Sequence, residues 1–481
     1  MTRVRFAPAP TGFLHIGGAR TYIFNWLFAR KAGGQVVLRI DDTDIERSTG
    51  ESVHSILDGL TWLELAWDEK HHQSDRRPLH AQAAEALLAK GAAYRDFTPE
   101  RGEGDESEGQ SGAPWLCNPA MREMPRQESD RRAAAGEGFV VRFRVPLEAG
   151  GSVKFKDLVY RDQFRKIGDI EDFALLRSNG SPTYHLASTV DDAELKVSHI
   201  IRGQDHLTNT YKHILLFEAL GFKPPQFGHL PLLLEPDGSK LSKRKHGPIV
   251  SVTTYRDRSF LPHAFVNYLS LPGWSPKDNR EVLTRDQLRE LFSVEGILRA
   301  NAVVSFDESS EENWTDPKAL WINSQHLRGM PIEALLPYVR PVLREAGWWK
   351  PEYEGAQRQW LTHTVDLLRA RFHTLRDFRT RAAAYFGDHF TIEPQASQHL
   401  DKEGVRELLR TLADRLASLA EFTEESVEQQ VRDFAAENNM KPGLISNASR
   451  AALTGQPVGP SAFTIFAVLG KERVVERLRR V

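Results

Sequence analysis

Two short segments of the chain hold the residues best suited to phosphate chemistry. They are Ala7-Pro8-Ala9-Pro10-Thr11-Gly12-Phe13-Leu14-His15-Ile16-Gly17-Gly18 and Lys240-Leu241-Ser242-Lys243-Arg244. His15 can donate a hydrogen bond to a phosphate oxygen, and the two glycines beyond it allow the backbone to approach a ligand closely. The cations of the second segment follow a turn-forming sequence, so we expect them on a mobile loop. Together the two segments predict a site that binds ATP from two sides.

The elements around the first segment are predicted to position it for this chemistry. Residues 4–7 form a short apolar stretch that predicts a strand, and Pro8 and Pro10 stiffen the turn after it. Periodic apolar residues predict a helix over 19–32, which ends at two glycines. A strand that leads through a glycine-rich turn into a helix presents free N–H groups and a positive dipole end. Both features favour a bound phosphate.

The next segments repeat the alternation of strand and helix. Residues 36–40 predict a buried strand that ends at Asp41, and Ser48 with Glu51 has the spacing of a capping box before a helix. Strand–helix–strand order predicts a doubly wound parallel sheet with ligands at the carboxyl ends of its strands. Because His15 and Asp41 both follow such ends, we expect them in one crevice.

Four blocks in a fixed order resemble a known family. They are RFAPAPTGFLHIGGAR, LRIDDTD, SPTYHLASTVDD and IIRGQDHLTNT. The chain resembles the class I aminoacyl-tRNA synthetases, whose HIGH and KMSKS signatures correspond to His15-Ile16-Gly17-Gly18 and to KLSKR. Within that class, the four blocks are similar to those of the bacterial glutamyl-tRNA synthetases. The resemblance extends from Arg5 to near the C-terminus and is weakest over residues 95–170.

The resemblance implies ATP-dependent attachment of L-glutamate to tRNA(Glu) through a glutamyl-adenylate, by a cytoplasmic monomer. It implies His15, Lys240 and Lys243 as catalytic residues. The implied ATP-binding residues are Ala9, Pro10, Thr11, Gly12, His15, Gly17, Gly18, Lys240, Leu241, Ser242, Lys243 and Arg244. Mg²⁺ is expected to accompany ATP. No zinc is expected, because Cys117 is the single cysteine and excludes a multi-cysteine zinc site.

The resemblance also implies the amino-acid pocket. Its implied residues are Arg5, Ala7, Asp41, Tyr184, Ser188 and Arg202. The two arginines are the carboxylate partners, Asp41 faces the ammonium and Tyr184 lines the pocket. Three positions depart from the family's wording, since Ala9 replaces a serine, Asp41 a glutamate and Ser188 an asparagine. These departures put the affinity for glutamate in question more than the reaction class.

The recognition of tRNA is implied to involve Arg371 and Arg450 at the anticodon. Arg371 matches an arginine that discriminates the third anticodon base, although Ala370 stands where the family pattern has proline. Five arginines opposed only by Asp377 form a candidate basic stripe for RNA, with an ordinary solvated helix face as the alternative: Arg369, Arg371, Arg376, Arg379 and Arg381. The charged residues over 471–480 include two glutamates and predict ordinary solvated surface.

The predicted fold is a Rossmann-like α/β doubly wound parallel-sheet catalytic domain, split by an α+β insertion and followed by an all-α C-terminal half. Strands are predicted over 140–145, 173–176 and 198–201, and a polar loop over 99–112. The expected domains are the catalytic fold (1–75 and 172–240), the inserted acceptor-binding domain (76–171), the KLSKR loop with a stem-contact domain (241–319), and two anticodon-binding helical domains (320–395 and 396–481).

Composition limits the class of protein. The chain has 481 residues, of which 40% are hydrophobic and 27% charged, as in soluble globular proteins with more than one domain. A net charge of −2 argues against a uniformly basic nucleic-acid binder, although a local basic stripe suffices for a large enzyme. The N-terminus has no apolar signal core, and no apolar run reaches the length of a membrane span.

Three other functions compete with charging of tRNA(Glu). One is an enzyme that charges tRNA(Gln) as well or instead. Another is a nucleotidyltransferase for a small substrate, for which the helical C-terminal half would be superfluous. The last is a catalytically silent tRNA-binding protein, against which the intact His15, Lys240 and Lys243 count.

Overall fold

The computed structural model describes residues 1–43, 48–98, 118–306 and 316–481, apart from the side chains of Lys243 and Arg244. The polar loop predicted over 99–112 and Cys117 lie outside this part of the chain. Two compact units are present. The first comprises Met1–Arg256 with Phe265–Asp316, and the second comprises Asp257–Ala264 with Pro317–Val481.

The described chain through residue 306 contains both strands and helices. In chain order they are β1 (Arg3–Phe6), α1 (Ile16–Lys31), β2 (Gln35–Ile40), α2 (Gly50–Trp62), β3 (Glu69–His72), α3 (Arg77–Ala89), β4 (Ala93–Asp96), α4 (Pro119–Arg122), α5 (Arg126–Ala134), β5 (Val140–Phe143), β6 (Ser152–Asp157), β7 (Arg161–Lys166), β8 (Ala174–Leu176), α6 (Tyr184–Glu194), β9 (His199–Gly203), α7 (Leu207–Leu220), β10 (Gln226–Leu230), β11 (Leu233–Leu234), α8 (Lys243–His246), α9 (Val252–Asp257), α10 (Pro262–Ser270), α11 (Arg285–Leu291) and β12 (Ala302–Val303).

The predicted doubly wound parallel sheet is confirmed. Within the described residues it has the strand order β10-β9-β1-β2-β3, and every pair of neighbours is parallel. The apolar strand β2 is buried along almost its whole length, as expected of a central strand covered by helices on both faces. The order reverses at β1, which places the carboxyl ends of β1 and β9 beside the point where ligands bind in such sheets.

The α+β insertion contains a small antiparallel sheet and a separate ribbon. Strands β4, β5 and β8 form the sheet, and β6 pairs with β7. The strand predicted over 173–176 was expected in the nucleotide fold, and this expectation is wrong, because β8 pairs antiparallel with β5. Phe173 stacks on Phe143 of β5, so the packing partner decides where this short apolar run lies. The strand predicted over 198–201 does join the parallel sheet as β9.

Two helix starts differ from the predictions. Helix α1 begins at Ile16 rather than at residue 19, because His15 accepts a hydrogen bond from the backbone N–H of Gly17 and caps the helix. Helix α2 is capped by Thr49, which accepts from the N–H of Ser52, and the predicted pair of Ser48 and Glu51 is wrong by one residue. Neighbouring hydroxyl residues offer equivalent caps, so spacing alone does not choose between them.

Described elements from residue 316 onward are helical, which confirms the predicted all-α C-terminal half. They are α12 (Pro317–Gly329), α13 (Ile332–Glu345), α14 (Arg358–Arg369), α15 (Asp377–Thr380), α16 (Ala383–Phe386), α17 (Pro394–Leu400), α18 (Val405–Ala417), α19 (Glu424–Glu437), α20 (Pro442–Thr454), α21 (Ala462–Leu469) and α22 (Lys471–Arg480). Within α22, Arg477 is buried and donates to three backbone carbonyls, so the surface predicted there is only partly solvated. None of the described helices is long and apolar enough to span a bilayer.

Candidate active site

A cavity of about 400 Å³ opens where β1 and β9 end. Its lining includes nine of the predicted site residues: Arg5, Ala7, His15, Gly17, Gly18, Arg202, Lys240, Leu241 and Ser242. The described lining does not include Asp41, Tyr184 or Ser188, nor the turn residues Ala9, Pro10, Thr11 and Gly12. The structure therefore brings the two sequence segments together with both predicted carboxylate partners.

His15 has two roles that its local geometry connects. Its Nδ1 accepts from the N–H of Gly17 at 3.0 Å, which caps α1. A neutral imidazole that accepts at Nδ1 carries its hydrogen on Nε2, so the phosphate contact predicted for His15 would use Nε2 as the donor. A side chain at position 17 would place its Cβ 3.2 Å from the Nδ1 of His15. Glycine at this position thus leaves room for the imidazole cap.

The chain a few residues beyond the second segment is linked to the first segment through the backbone. Residue Ser251 forms a bridge with His15, and the N–H of Val252 donates to the carbonyl of Leu14 at 3.0 Å. Lys240 lies at the cavity with its Nζ 2.8 Å from a carboxylate oxygen of Asp205. An ammonium has three N–H donors, so Lys240 retains donors for a ligand in the cavity beside its contact with Asp205. The predicted side chains of Lys243 and Arg244 fall outside the described part of the chain.

Arg202 is a buried cation held by neutral groups. Its guanidinium donates to the hydroxyl of Tyr184 at 3.0 Å, to the Oγ1 of Thr210 at 2.7 Å, to the carbonyl of His206 at 3.2 Å and to the Nε2 of His229 at 3.3 Å. No carboxylate in the described chain pairs with it, and burial lowers its pKa. Because a buried charge without a counter-ion is costly, this guanidinium favours an anionic ligand in the cavity.

Arg5 shares its counter-charge with a second buried arginine. Its Nε lies 3.3 Å from Oδ1 of Asp192, and the same oxygen accepts from Nη1 of Arg39 at 2.8 Å. Oδ2 of Asp192 is buried and has no hydrogen-bond partner within the described residues. One carboxylate therefore serves two guanidiniums, which leaves Arg5 able to take a further anionic partner.

Asp41 lies against Arg39 rather than on the cavity wall. Its carboxylate accepts from Nε of Arg39 at 2.6 Å and from Nη2 at 3.2 Å, and its side chain is 10% exposed. Burial raises the pKa of the Asp41 carboxyl, although Arg39 opposes this effect. Ser188 accepts from the same guanidinium at 3.3 Å. The predicted contact of Asp41 with the substrate ammonium stays a prediction.

Sequence reasoning missed the buried ion network behind the pocket. Arg39 contacts Asp41 and Asp192, while Asp191 accepts from Gln73, Arg76 and His80. Arg39 and Asp41 lie in the block LRIDDTD, and Asp191 and Asp192 lie in SPTYHLASTVDD. Gln73, Arg76 and His80 lie outside these blocks. Two features of the sequence could have indicated this network: an arginine inside an otherwise apolar strand, and a pair of aspartates on an apolar helix. Charged side chains are rarely buried unless they pair with an opposite charge.

The predicted anticodon residues share one neighbourhood of the second unit. Arg371 is exposed, and Arg450 donates to Asn447 at 2.9 Å and to the carbonyl of Pro460 at 3.1 Å. Burial raises the pKa of the Tyr385 hydroxyl, and the positive charges of Arg371 and Arg450 both oppose this shift. The predicted basic stripe is wrong as a continuous face, because Arg369 pairs with Asp366 and Arg379 with Glu345.

Three histidines with lowered pKa values cluster around Tyr184 beside Arg202. The rings of His185, His206 and His213 surround Tyr184 at centroid distances of 5.4 to 5.5 Å. Burial lowers the pKa of His185 and of His206 to about 4, and that of His213 well below its ordinary value. The native state therefore resists protonation at these rings.

We expect the urea concentration at the midpoint of unfolding to be lower at pH 5 than at pH 7. Below about pH 6.5 these histidines become protonated in the unfolded chain but stay neutral in the native state. The free energy of unfolding therefore decreases as the pH is lowered from about 6.5 toward 4. Replacement of buried His213 by leucine should flatten this pH dependence, whereas His54→Gln at an exposed position should not. A midpoint that is independent of pH over this range would contradict the assignment.

Comparison with known proteins identifies the family. The sequence profile described as tRNA synthetases class I (E and Q), catalytic domain, matches residues 1–310. The chain belongs to the class I tRNA synthetases. A second profile, described as an anticodon binding domain, matches residues 332–481 of this synthetase. The family predicted from the HIGH and KLSKR segments is therefore confirmed.

Similar proteins cover this synthetase from end to end. The glutamate–tRNA ligase of Solibacter usitatus is 51% identical over 487 residues, which cover 99% of this chain and 98% of that protein. The glutamate–tRNA ligase of Desulfotalea psychrophila is 43% identical, with 99% and 98% covered. A crystal structure of a glutamate tRNA ligase from Elizabethkingia meningosepticum, in complex with its amino acid, matches 100% of this chain and 98% of that one at 29% identity, with a TM-score of 0.84.

Proposed function

We propose that this synthetase attaches L-glutamate to tRNA(Glu) with ATP, through a glutamyl-adenylate, for protein synthesis in the cytoplasm. The observation that carries the choice of amino acid is Arg202, which is buried at the cavity among neutral partners. An acidic side chain supplies the missing counter-charge, whereas the amide of glutamine leaves it missing. Arg5, in the same cavity, provides the second guanidinium.

The first step joins the amino acid to AMP. A carboxylate oxygen of glutamate attacks the α-phosphorus of ATP, and the bond from this phosphorus to the bridging oxygen breaks as pyrophosphate leaves. The synthetase positions both reactants and stabilises the developing negative charge. His15 donates from Nε2, while Lys240 and Lys243 approach from the second segment. Mg²⁺ accompanies ATP in this proposal and screens its phosphates.

The same proposal assigns tRNA to the remaining parts of the chain. The insertion, residues 76–171, holds the acceptor end, and its ribbon offers a suitable face. Lys154, Lys156 and Lys166 are exposed there beside Phe164, which is 69% exposed. The proposal assigns residues 1–75 and 172–240 to the catalytic fold, apart from β8, which pairs with the sheet of the insertion. It assigns 241–319 to the stem contact, and 320–395 with 396–481 to the anticodon-binding domains.

Release of pyrophosphate from ATP tests the proposed function against its alternatives. The full chain is assayed with glutamate or glutamine, and with tRNA(Glu), tRNA(Gln) or no tRNA. We expect release and glutamylation with glutamate and tRNA(Glu). Equal charging of tRNA(Gln) would favour the broader enzyme, release without any tRNA product would favour a nucleotidyltransferase, and tRNA binding without release would favour a silent binding protein.

Asp41 tests the assignment of the ammonium contact. We expect Asp41→Asn to raise KM for glutamate strongly, because it removes the counter-charge of a buried ammonium, and Asp41→Glu to be tolerated or to tighten binding. Since Asp41 also pairs with Arg39, thermal unfolding of each variant is measured beside KM. A lower melting temperature with an unchanged KM would make Asp41 a partner of Arg39 alone.

Arg371 tests the choice of tRNA. In the resembled family an arginine here contacts the third anticodon base, which is cytosine in tRNA(Glu) and guanine in tRNA(Gln). We expect Arg371→Gln to relax the preference for tRNA(Glu) by roughly 10- to 100-fold, because one base contact is worth about 1–3 kcal/mol. The measurement is kcat/KM for both tRNAs. Arg376→Gln, at a neighbouring exposed arginine, is the control, and an equal loss for both tRNAs would make Arg371 a phosphate contact.

A further inference from the structure

A buried chain of side chains runs from the insertion to Arg202. Asp157, the last residue of β6, accepts from Nδ1 of His229 at 2.6 Å. Nε2 of His229 lies 3.0 Å from Oγ1 of Thr210, and this oxygen accepts from Arg202 at 2.7 Å. Asp157, His229 and Thr210 have no solvent exposure, so no water competes for these contacts.

The distances and the donor and acceptor types indicate the direction of each hydrogen bond in this chain. The hydroxyl of Thr210 has two acceptors within reach, and Nε2 of His229 at 3.0 Å is nearer than the carbonyl of His206 at 3.4 Å. Asp157 accepts backbone N–H groups from Val159 at 2.9 Å and from Tyr160 at 2.8 Å, as an ionised carboxylate does. It therefore takes the hydrogen of His229 at Nδ1, which leaves the lone pair on Nε2. The hydroxyl of Thr210 points its hydrogen at that lone pair and offers its own lone pairs to Arg202.

This arrangement holds Arg202 in place without neutralising it. Its contacts with His229, Thr210, Tyr184 and the carbonyl of His206 use four of its five N–H groups, and each acceptor is uncharged. A carboxylate in place of Thr210 would fix the guanidinium equally well but would cancel its charge. The remaining N–H on Nη1 is left for a ligand in the cavity.

The charged and titratable groups that face His229 explain why it stays neutral. Arg202 of β9 and Arg5 of β1 are the nearby cations, and Asp157 is the single anion among the groups that influence it. Burial lowers the pKa of His229, and the two arginines act in the same direction. A protonated ring would turn Nε2 into a donor directed at other donors.

We propose that Asp157, His229 and Thr210 form a positioning relay that aims Arg202 at the side-chain carboxylate of glutamate. The relay rests on the proposed function, because it requires glutamate as the substrate. Its members do not touch the reacting atoms. They determine how well the pocket prefers an acidic side chain, and one of them is supplied by the insertion.

Thr210→Val tests the relay, because valine has nearly the same shape but no hydroxyl. Steady-state pyrophosphate release is measured with wild type, Thr210→Val and Thr210→Ser, varying glutamate and ATP separately. We expect KM for glutamate to rise about tenfold in the valine variant, as for the loss of one hydrogen bond to a charged group. KM for ATP and kcat should stay within about threefold, and serine should restore KM for glutamate.

His229→Asn provides a second, independent test. Asparagine retains a donor near Asp157 but no acceptor that reaches Thr210, so a similar rise in KM for glutamate is expected. An unchanged KM for glutamate in both variants, or an equal rise in KM for ATP, would overturn the relay while leaving the proposed function intact. Absence of glutamate-dependent pyrophosphate release in wild type would instead overturn the proposed function, and the relay with it.

Discussion

Replacing Lys243 with alanine is expected to slow adenylate formation by roughly 10²–10³-fold. The ammonium of a loop that closes over the triphosphate meets most negative charge as pyrophosphate departs, and removal of one such donor costs about 3–4 kcal/mol. Affinity for glutamate should hardly change, because the contact is made in the transition state. The measurement is the single-turnover rate of adenylate formation at saturating ATP and glutamate.

The neighbouring Lys245 is a matched control for this experiment. Its Nζ lies 2.7 Å from Glu235 and 3.1 Å from the Oγ of Ser239, so its charge is already used within the loop. We expect Lys245→Ala to change the single-turnover rate far less than Lys243→Ala does. Equal rates for wild type and Lys243→Ala would remove Lys243 from the catalytic residues.

Replacing Arg202 with glutamine is expected to lower kcat/KM for glutamate by roughly 10²–10⁴-fold. A buried carboxylate that loses its charged partner is destabilised by about 3–5 kcal/mol. Arg202→Lys keeps the charge but cannot reach Tyr184, Thr210 and His229 together, so it should recover only part of this loss.

The substrate dependence distinguishes recognition from general damage. KM for ATP and the thermal unfolding temperature are measured for each Arg202 variant, together with kcat/KM for glutamine. If glutamate and glutamine lose the same factor, or if KM for ATP rises with KM for glutamate, then Arg202 maintains the fold of the pocket and does not select the acid.

The parallel sheet and the two phosphate segments could be predicted because their signals are local. The apolar run before Asp41 indicates the strand that it forms, and the glycines after His15 indicate a close approach of the backbone to a ligand. The place of β8 could not be predicted in this way, because its three residues suit either sheet and only the contact of Phe173 with Phe143 decides. A short apolar run carries no information about which distant residues it packs against.

In the candidate pocket, too, individual residues could be predicted from the sequence but their distant contacts could not. Arg5 and Arg202 were predicted from the family blocks, and the structure places both at the cavity. The carboxylate partner of Arg5 was not predicted, because Asp192 lies on α6, far along the chain from β1. The link from Arg202 through Thr210 and His229 to Asp157 on β6 was not predicted either. A charge inside an apolar element indicates burial, but its counter-charge is known only from the tertiary structure.

The bond from Asp157 to His229 also bears on how the chain could be shortened or exchanged. The insertion interrupts the nucleotide fold in sequence, which suggests a module that evolution could lose or swap freely. Yet one of its carboxylates accepts a hydrogen bond from the buried imidazole of His229, on strand β10 of the parallel sheet. Excision of the insertion would leave that imidazole without its anchor, so a minimal activating core would need a compensating change at position 229. The two parts have to evolve as one.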